Sequence, residues 1–300
     1  MTPSVRRSEP VLAKANGIEL CYDTFGDPAA PPLLLIMGLA GQMIAWDEDF
    51  CSQLASKGYW VIRFDNRDIG LSTRFPQHGT PDLMALLGQA LMRKPVIAPY
   101  ALRDMAADAI GLLDALEIDK AHVLGVSMGG GIVQEMAINH PGRLRTMTSI
   151  MSSTGDPGLP QATPEAMGVL LAPPPKTKEE YFEAYKRTWT VLRGPGFPLD
   201  EAKDMERAAH NWERGLNPPG VARQLAAILA SGNRTDALKG VGIPTLVIHG
   251  DADPLVRLEG GRATAKAIPG AKLLVVERMG HALPISMWPQ LIEAITGHAR

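Results

Sequence analysis

Gly125-Val126-Ser127-Met128-Gly129-Gly130 is the stretch of this chain that decides its reading. Residues 122–125 before it predict a short strand, and 129–139 after it predict a helix that ends at Pro141. A serine between small residues at such a junction is the pattern of a nucleophile elbow. The strand turns sharply into the helix, the turn residue is strained, and its hydroxyl is lifted clear of the backbone. Small residues two positions either side relieve the clash. With 30 Gly and 11 Ser in 300 residues, chance supplies about 0.1 such patterns, so the strand–helix context carries the weight. A glycine-rich dinucleotide turn is the competing reading, but the segment lacks Gly-x-Gly-x-x-Gly.

Working outward, short apolar runs alternate with helical stretches. Asn16-Gly17 between Val11–Ala15 and 18–22 is a hairpin signal. Strands are expected at 33–37, Trp60–Phe64, 145–150, 244–249 and Lys272–Val276. Helices are expected at 45–57, 101–116, 259–267 and 284–296. Such alternation implies an α/β fold, with a mostly parallel twisted sheet covered by helices on both faces. From about 154 to 234 the rhythm breaks. Pro173-Pro174-Pro175 is followed by helix-like stretches at Lys178–Leu192, 200–214 and 221–231. This predicts a core of 1–153 and 235–300 with an inserted helical cap, 154–234.

A serine hydroxyl needs an imidazole to take its proton and a carboxylate to orient that imidazole. Elbow hydrolases place these later in the chain, in the order Ser, Asp or Glu, His. Past the cap stand His249, His281 and His298. His281 follows the last expected strand on a Met279-Gly280 loop, so it is the expected base. The acid is expected in His249-Gly250-Asp251-Ala252-Asp253-Pro254. Asp253 lies four residues beyond the strand end, before a stiffening proline, and is preferred. Asp251, suited to a turn hydrogen bond, and Glu277 compete with it.

These residues resemble the α/β-hydrolase superfamily. Leu35-Ile36-Met37-Gly38, the run from Arg63-Phe64-Asp65-Asn66-Arg67 through Asp68-Ile69-Gly70-Leu71-Ser72, and Gly280-His281-Ala282-Leu283-Pro284 are similar to small esterases of the aclacinomycin-methylesterase-like group. The chain departs from the superfamily's common pattern in having Met37 where His is usual and Asp68 where a Gly is usual. The resemblance implies an α/β-hydrolase fold and a serine esterase acting through an acyl-enzyme on small to medium hydrophobic esters. It also implies an oxyanion hole made by the backbone N–H groups of Leu39 and Met128. Lactonase, carbon–carbon hydrolase and cofactor-free haloperoxidase or perhydrolase chemistry share the triad and stay open, as does a ligand-binding receptor of this fold.

Composition limits the other classes. Thirty basic against 32 acidic residues give a net charge of −2, which carries no footprint for nucleic acid. The longest apolar run, 33–41, is about half a membrane span. Arg6 and Arg7 are followed by no apolar stretch, so 1–10 does not read as a secretory signal. Cys21 and Cys51 read as free thiols, and the expected location is the cytoplasm. No His/Cys/Asp cluster has metal-ligand spacing, and no cofactor is implied. The expected partner is a small-molecule ester, and a homo-oligomer is compatible with the sequence.

Three weaker features complete the reading. Residues 82–94 form a helix apolar on most sides, with the pocket mouth, a second subunit, a lipid–water interface or the underside of the cap as its possible covers. Among Tyr181, Phe182, Tyr185, Trp189 and Trp212, one or two are expected at the pocket. Arg67 and Asp68 are expected to brace a loop, and Arg214 and Arg223 to form structural ion pairs.

Overall fold

The computed structural model describes residues 5–198 and 200–300. The first four residues of the 1–10 reading therefore lie outside the described residues. Among the described residues eight strands form one sheet: β1 (Val11–Ala15), β2 (Ile18–Phe25), β3 (Pro32–Ile36), β4 (Trp60–Phe64), β5 (Ala121–Val126), β6 (Leu144–Ile150), β7 (Thr245–Gly250) and β8 (Lys272–Val276). Their spatial order is β1-β2-β4-β3-β5-β6-β7-β8. The β1–β2 hairpin turns at Asn16 and Gly17, both with positive φ, as a tight primed turn requires. β2 runs antiparallel to β4, and every pairing from β4 to β8 is parallel.

The apolar runs sit where both faces are covered. In β3, Leu34 and Ile36 face one core with Val123 and Met147. Leu33 and Leu35 face the other with Leu124, Ile248 and Trp288. Helices α3 (Leu102–Ala115) and α4 (Met128–Asn139) supply the first core, while α1 (Glu48–Ala55) and α11 (Trp288–His298) supply the second. Strand order reverses between β3 and β5. In open parallel sheets the crevice at such a reversal, beyond the strands' carboxyl ends, is where sites form. The elbow emerges there.

Between β6 and β7 lie α5 (Pro164–Leu170), α6 (Lys178–Leu192), α7 (Glu201–Glu213) and α8 (Pro218–Ser231), then the short α9 (Thr235–Leu238). After β7 comes α10 (Leu258–Ala267). Neither α5 nor α9 was legible in the pattern, being one or two turns long. The helix expected over 45–57 starts at Glu48, because the Asp47 carboxylate caps it by accepting the Asp49 N–H. The closing helix starts at Trp288 rather than 284, with a single tight turn over Ile285–Met287 ahead of it.

The apolar stretch 82–94 is a shorter helix, α2 (Leu83–Leu91), capped by Asp82. It packs against α8 on one side. None of its residues is fully buried, and Met84 and Leu91 are 71% and 76% exposed. The reading that the inserted helices cover it therefore holds for one side only. Among the described residues, no helix is long and apolar enough to cross a membrane.

Candidate active site

Ser127 sits between β5 and α4 with φ 53° and ψ −119°, a backbone region that costs any L side chain strain. Its N–H donates to Ile150 O on β6 at 2.9 Å, and its carbonyl accepts the Gly130 N–H at 2.9 Å. The turn is so tight that a Cβ at Gly125 would lie 2.1 Å from Gly129 O, and one at Gly129 would lie 2.2 Å from Ile36 O. Both small residues are thus required by contact with backbone, which cannot move aside.

His281 leaves the loop after β8 and is nearly buried. Its backbone N–H donates to Leu192 O at the end of α6, and the Gly280 N–H donates to Arg193 O at 3.0 Å. The inserted helices therefore help to seat this loop. His281 Nε2 lies 2.9 Å from Ser127 Oγ, and Nδ1 lies 2.7 Å from Asp253 Oδ2. With the proton on Nδ1 donated to the carboxylate, Nε2 is left to accept the serine hydroxyl.

Asp253 is fully buried beyond β7. Its Oδ1 accepts the N–H groups of Leu255 and Val256, both at 2.9 Å, which orients the carboxylate and leaves Oδ2 for His281. The two other acids lie elsewhere. Asp251 Oδ1 accepts the Arg278 N–H at 2.5 Å on the exposed side of the loop. Glu277 is exposed. His249 is buried against the same loop, with Nε2 3.6 Å from Asp253 Oδ2 and donating to Val256 O at 2.7 Å. Burial holds His249 below its ordinary value, so it stays neutral beside the carboxylate.

The backbone after β3 completes the arrangement. Gly38 faces the serine so closely that a Cβ there would lie 3.1 Å from Ser127 Cβ, and Leu39 follows it. Met128 is the first residue of α4, where the helix dipole favours negative charge. Among the hydrogen bonds of the described residues, neither the Leu39 nor the Met128 N–H has a protein acceptor. Two such donors beside a nucleophile can receive an oxyanion. Asn66 Nδ2 holds Met37 O at 2.9 Å, and Asp65 Oδ1 holds the Met43 N–H at 2.7 Å.

The polar run 63–72 is a buried brace. Arg63 pairs with Asp23 at 2.7 Å, Arg67 with Asp108 at 2.6 Å, and Arg214 with Asp65. Asp68 adopts φ 70°, which explains why a glycine could stand there, and its carboxylate takes Arg223 at 2.6 and 2.8 Å. Burial works to raise Asp68, but Arg223, the Phe75 N–H and the Tyr100 hydroxyl hold it below the ordinary carboxylate value.

Above Ser127 opens a cavity of about 1520 Å³, lined by Leu39, Met128, Tyr181, Tyr185, Trp189 and Leu225 among others. Three of the five aromatics weighed from the sequence, Tyr181, Tyr185 and Trp189, reach it rather than one or two. Trp212 stands behind them, 5.7 Å from Tyr181 between ring centroids. No group of three or more His, Cys, Asp or Glu among the described residues is arranged to hold a metal ion. Two side chains, Gln42 within the loop after β3 and Gln224, which touches that loop, were given no role from the sequence. Gln224 lies 184 residues from the backbone that it contacts, and no local pattern signals such a pairing.

Comparison with known proteins bears on the family and the fold. A family model for the alpha/beta hydrolase fold matches residues 31–286. The chain is 32% identical to rhodomycin D methylesterase DauP of Streptomyces sp. (strain C5), over 94% of this chain and 95% of that one. It is likewise 32% identical to rhodomycin D methylesterase DnrP of Streptomyces peucetius, with the same coverage. Among solved structures, a hydrolase from Pseudomonas aeruginosa superposes with a TM-score of 0.71 at 24% identity, covering 97% of this chain and 98% of that one. At that identity the likeness speaks to the fold.

Proposed function

From the premise that this chain belongs to the α/β-hydrolase family, we propose that Ser127, His281 and Asp253 carry out its chemistry. The protein is a serine hydrolase of carboxylic esters. The observation that supports the residue assignment is the line of two hydrogen bonds, 2.9 Å from Ser127 Oγ to His281 Nε2 and 2.7 Å from Nδ1 to Asp253 Oδ2.

Ser127 Oγ attacks the acyl carbon while His281 takes its proton. Charge moves onto the carbonyl oxygen, where the N–H groups of Leu39 and Met128 stabilise it; one such donor is typically worth about 10²–10³ in rate. His281 then protonates the departing alcohol, leaving an acyl-serine. A water molecule, deprotonated by the same imidazole, releases the acid and restores the serine. Asp253 holds the imidazole in the tautomer this requires and stabilises its charged form.

Residues 154–234 are the cap in this reading, with 1–153 and 235–300 as the core. The cavity of about 1520 Å³ exceeds the roughly 300–1,000 Å³ of ordinary small-molecule sites, which favours a bulky acid. Relatives named as methylesterases favour a small alcohol. The partner is therefore a small-molecule ester with a large apolar acid part and a short alcohol. The proposed location is the cytoplasm. Both cysteines are free and buried, and burial pushes the Cys51 thiol up to about 12, as suits a structural thiol rather than a disulfide partner.

The test is turnover of a p-nitrophenyl ester series from C2 to C16 by the purified protein, beside Ser127→Ala. Activity that vanishes in Ser127→Ala is expected. Activity that survives it, or a wild type inert to every ester, overturns the assignment. Methyl esters of bulky acids should be cleaved faster than short-acid esters of bulky alcohols.

A further inference from the structure

The loop that presents Leu39 does not hold itself. Ala40 has φ 61°, a conformation unfavourable for any residue with a Cβ, so something must keep it there. Its N–H donates to Gln224 Oε1 at 3.1 Å, and Gln224 belongs to α8, in the insertion between β6 and β7. Gln224 is completely buried. Its Nε2 donates to Arg67 O at 2.9 Å, and Arg67 is locked to Asp108 of α3. Because the Arg67 carbonyl can only accept, the amide has one orientation: nitrogen toward Arg67, oxygen toward Ala40. The neighbouring Arg223 fastens the same turn of α8 to Asp68.

A second tie holds the far end of the loop. Gln42 Nε2 donates to Asn211 O of α7 at 2.9 Å, and Arg214 Nε donates to Gln42 Oε1 at 2.8 Å. Arg214 also pairs with Asp65, the carboxylate that takes the Met43 N–H. The segment from Gly38 to Met43 is therefore held at Ala40 and at Gln42 by side chains or backbone of the inserted helices.

We infer that Gln224 is a positioning residue for ester hydrolysis: through the Ala40 N–H it fixes the peptide plane next to Leu39, and so aims the Leu39 N–H at the oxyanion. The inference rests on the proposed ester-hydrolase reading. It makes α8 part of the catalytic centre and not a lid over it. If α8 moved away, the site would lose the aim of one oxyanion donor while Ser127, His281 and Asp253 stayed in place.

The experiment uses the full chain with Gln224→Met, which keeps the volume without the hydrogen bonds, and Gln224→Asn, which is too short to reach. The probes are p-nitrophenyl butyrate, an aryl trifluoromethyl ketone and the corresponding methyl ketone. On the trifluoromethyl ketone, Ser127 Oγ forms a bond to the carbonyl carbon, the π pair moves onto oxygen, and His281 takes the proton. The adduct thus carries the oxyanion without a leaving group. The expected result is a fall in kcat of about 10- to 100-fold with KM within about three-fold, because a misaimed donor loses part of what a missing one would. Affinity for the trifluoromethyl ketone should fall by the same factor, while affinity for the methyl ketone holds.

A kcat within about three-fold of wild type in both variants, or equal losses for both ketones, overturns the inference. The wild type gives an independent reading that needs no folded variant. Hydrogen exchange at the Ala40 amide should be slow, since its only protein acceptor among the described residues is Gln224. Exchange at the rate of an open loop amide refutes the contact. A wild type inert to all esters would instead overturn the esterase reading, and would leave the Ala40 exchange result standing by itself.

Discussion

Replacing Asp253 by Asn tests the site most sharply, because the surrounding backbone dictates which way the amide must point. Asp253 Oδ1 accepts two N–H groups, from Leu255 and Val256, each at 2.9 Å. An Asn side chain keeps both bonds only with its oxygen in that position. Its NH2 group then faces His281 Nδ1, where Oδ2 now accepts at 2.7 Å. A donor facing Nδ1 forces that nitrogen to accept, so the proton moves to Nε2, the atom 2.9 Å from Ser127 Oγ. The imidazole can then no longer take the serine proton. In serine triads generally, this exchange costs about 10⁴ in kcat, or about 5.5 kcal/mol of transition-state stabilisation. The assay is p-nitrophenyl butyrate turnover at pH 7, with Asp251→Asn as the control. Asp251 holds only the Arg278 N–H on the exposed side, so its loss should change kcat by less than about three-fold. Retention of more than a tenth of wild-type kcat in Asp253→Asn, or collapse in Asp251→Asn instead, would refute the tautomer argument.

Other outcomes follow from contacts away from the triad. Arg223→Met leaves the buried Asp68 carboxylate with its Phe75 and Tyr100 hydrogen bonds but without its counter-ion, and should lower unfolding stability by about 3 kcal/mol in a urea titration. An unchanged midpoint would mean that the pair is solvated. Gly125→Ala would set a Cβ 2.1 Å from Gly129 O, so soluble protein with normal turnover would contradict the elbow geometry. Burial lowers His122 to about 4, so it is neutral in the fold, whereas the unfolded chain binds a proton below about 6.5. Stability should therefore decline as pH falls from about 6.5 to 4, by at most about 3 kcal/mol and less after solvent screening. His122→Gln should flatten that decline, and a decline of the same size in the variant would assign it to other groups.

Much of the architecture was legible because its signals are local. The turn at Asn16-Gly17, the apolar runs of β3 and β5 and the small residues around Ser127 each act within a few positions. Fully buried strands read as continuous apolar runs, which is why alternation with helices pointed to a parallel sheet. Segments whose state depends on distant neighbours were less legible. α2 is apolar on most sides, a pattern that ordinarily means burial, yet Leu91 is 76% exposed. α5 and α9 are too short to set up a period of their own. The three aromatics at the cavity could not be told from those packed behind them, since helical spacing does not say what lies opposite.

The same division runs through the site. Ser127 and His281 became candidates through chain order and the strand–turn–helix pattern, both one-dimensional properties. Asp251 and Asp253 are two residues apart on one loop; distance from the strand end and the following proline favoured Asp253 but left Asp251 open. They differ in which carboxylate meets His281 across 28 positions and which meets solvent. The hold on the loop after β3 is further out of reach, because Ala40 and Gln224 are 184 residues apart. The sequence by itself determined the order of the elements and the chemistry available at their ends, because turn strain, hydrophobic period and side-chain type are carried by adjacent residues. The tertiary structure alone decided which groups share a hydrogen bond, because that depends on how sheet, loop and inserted helices close on one another.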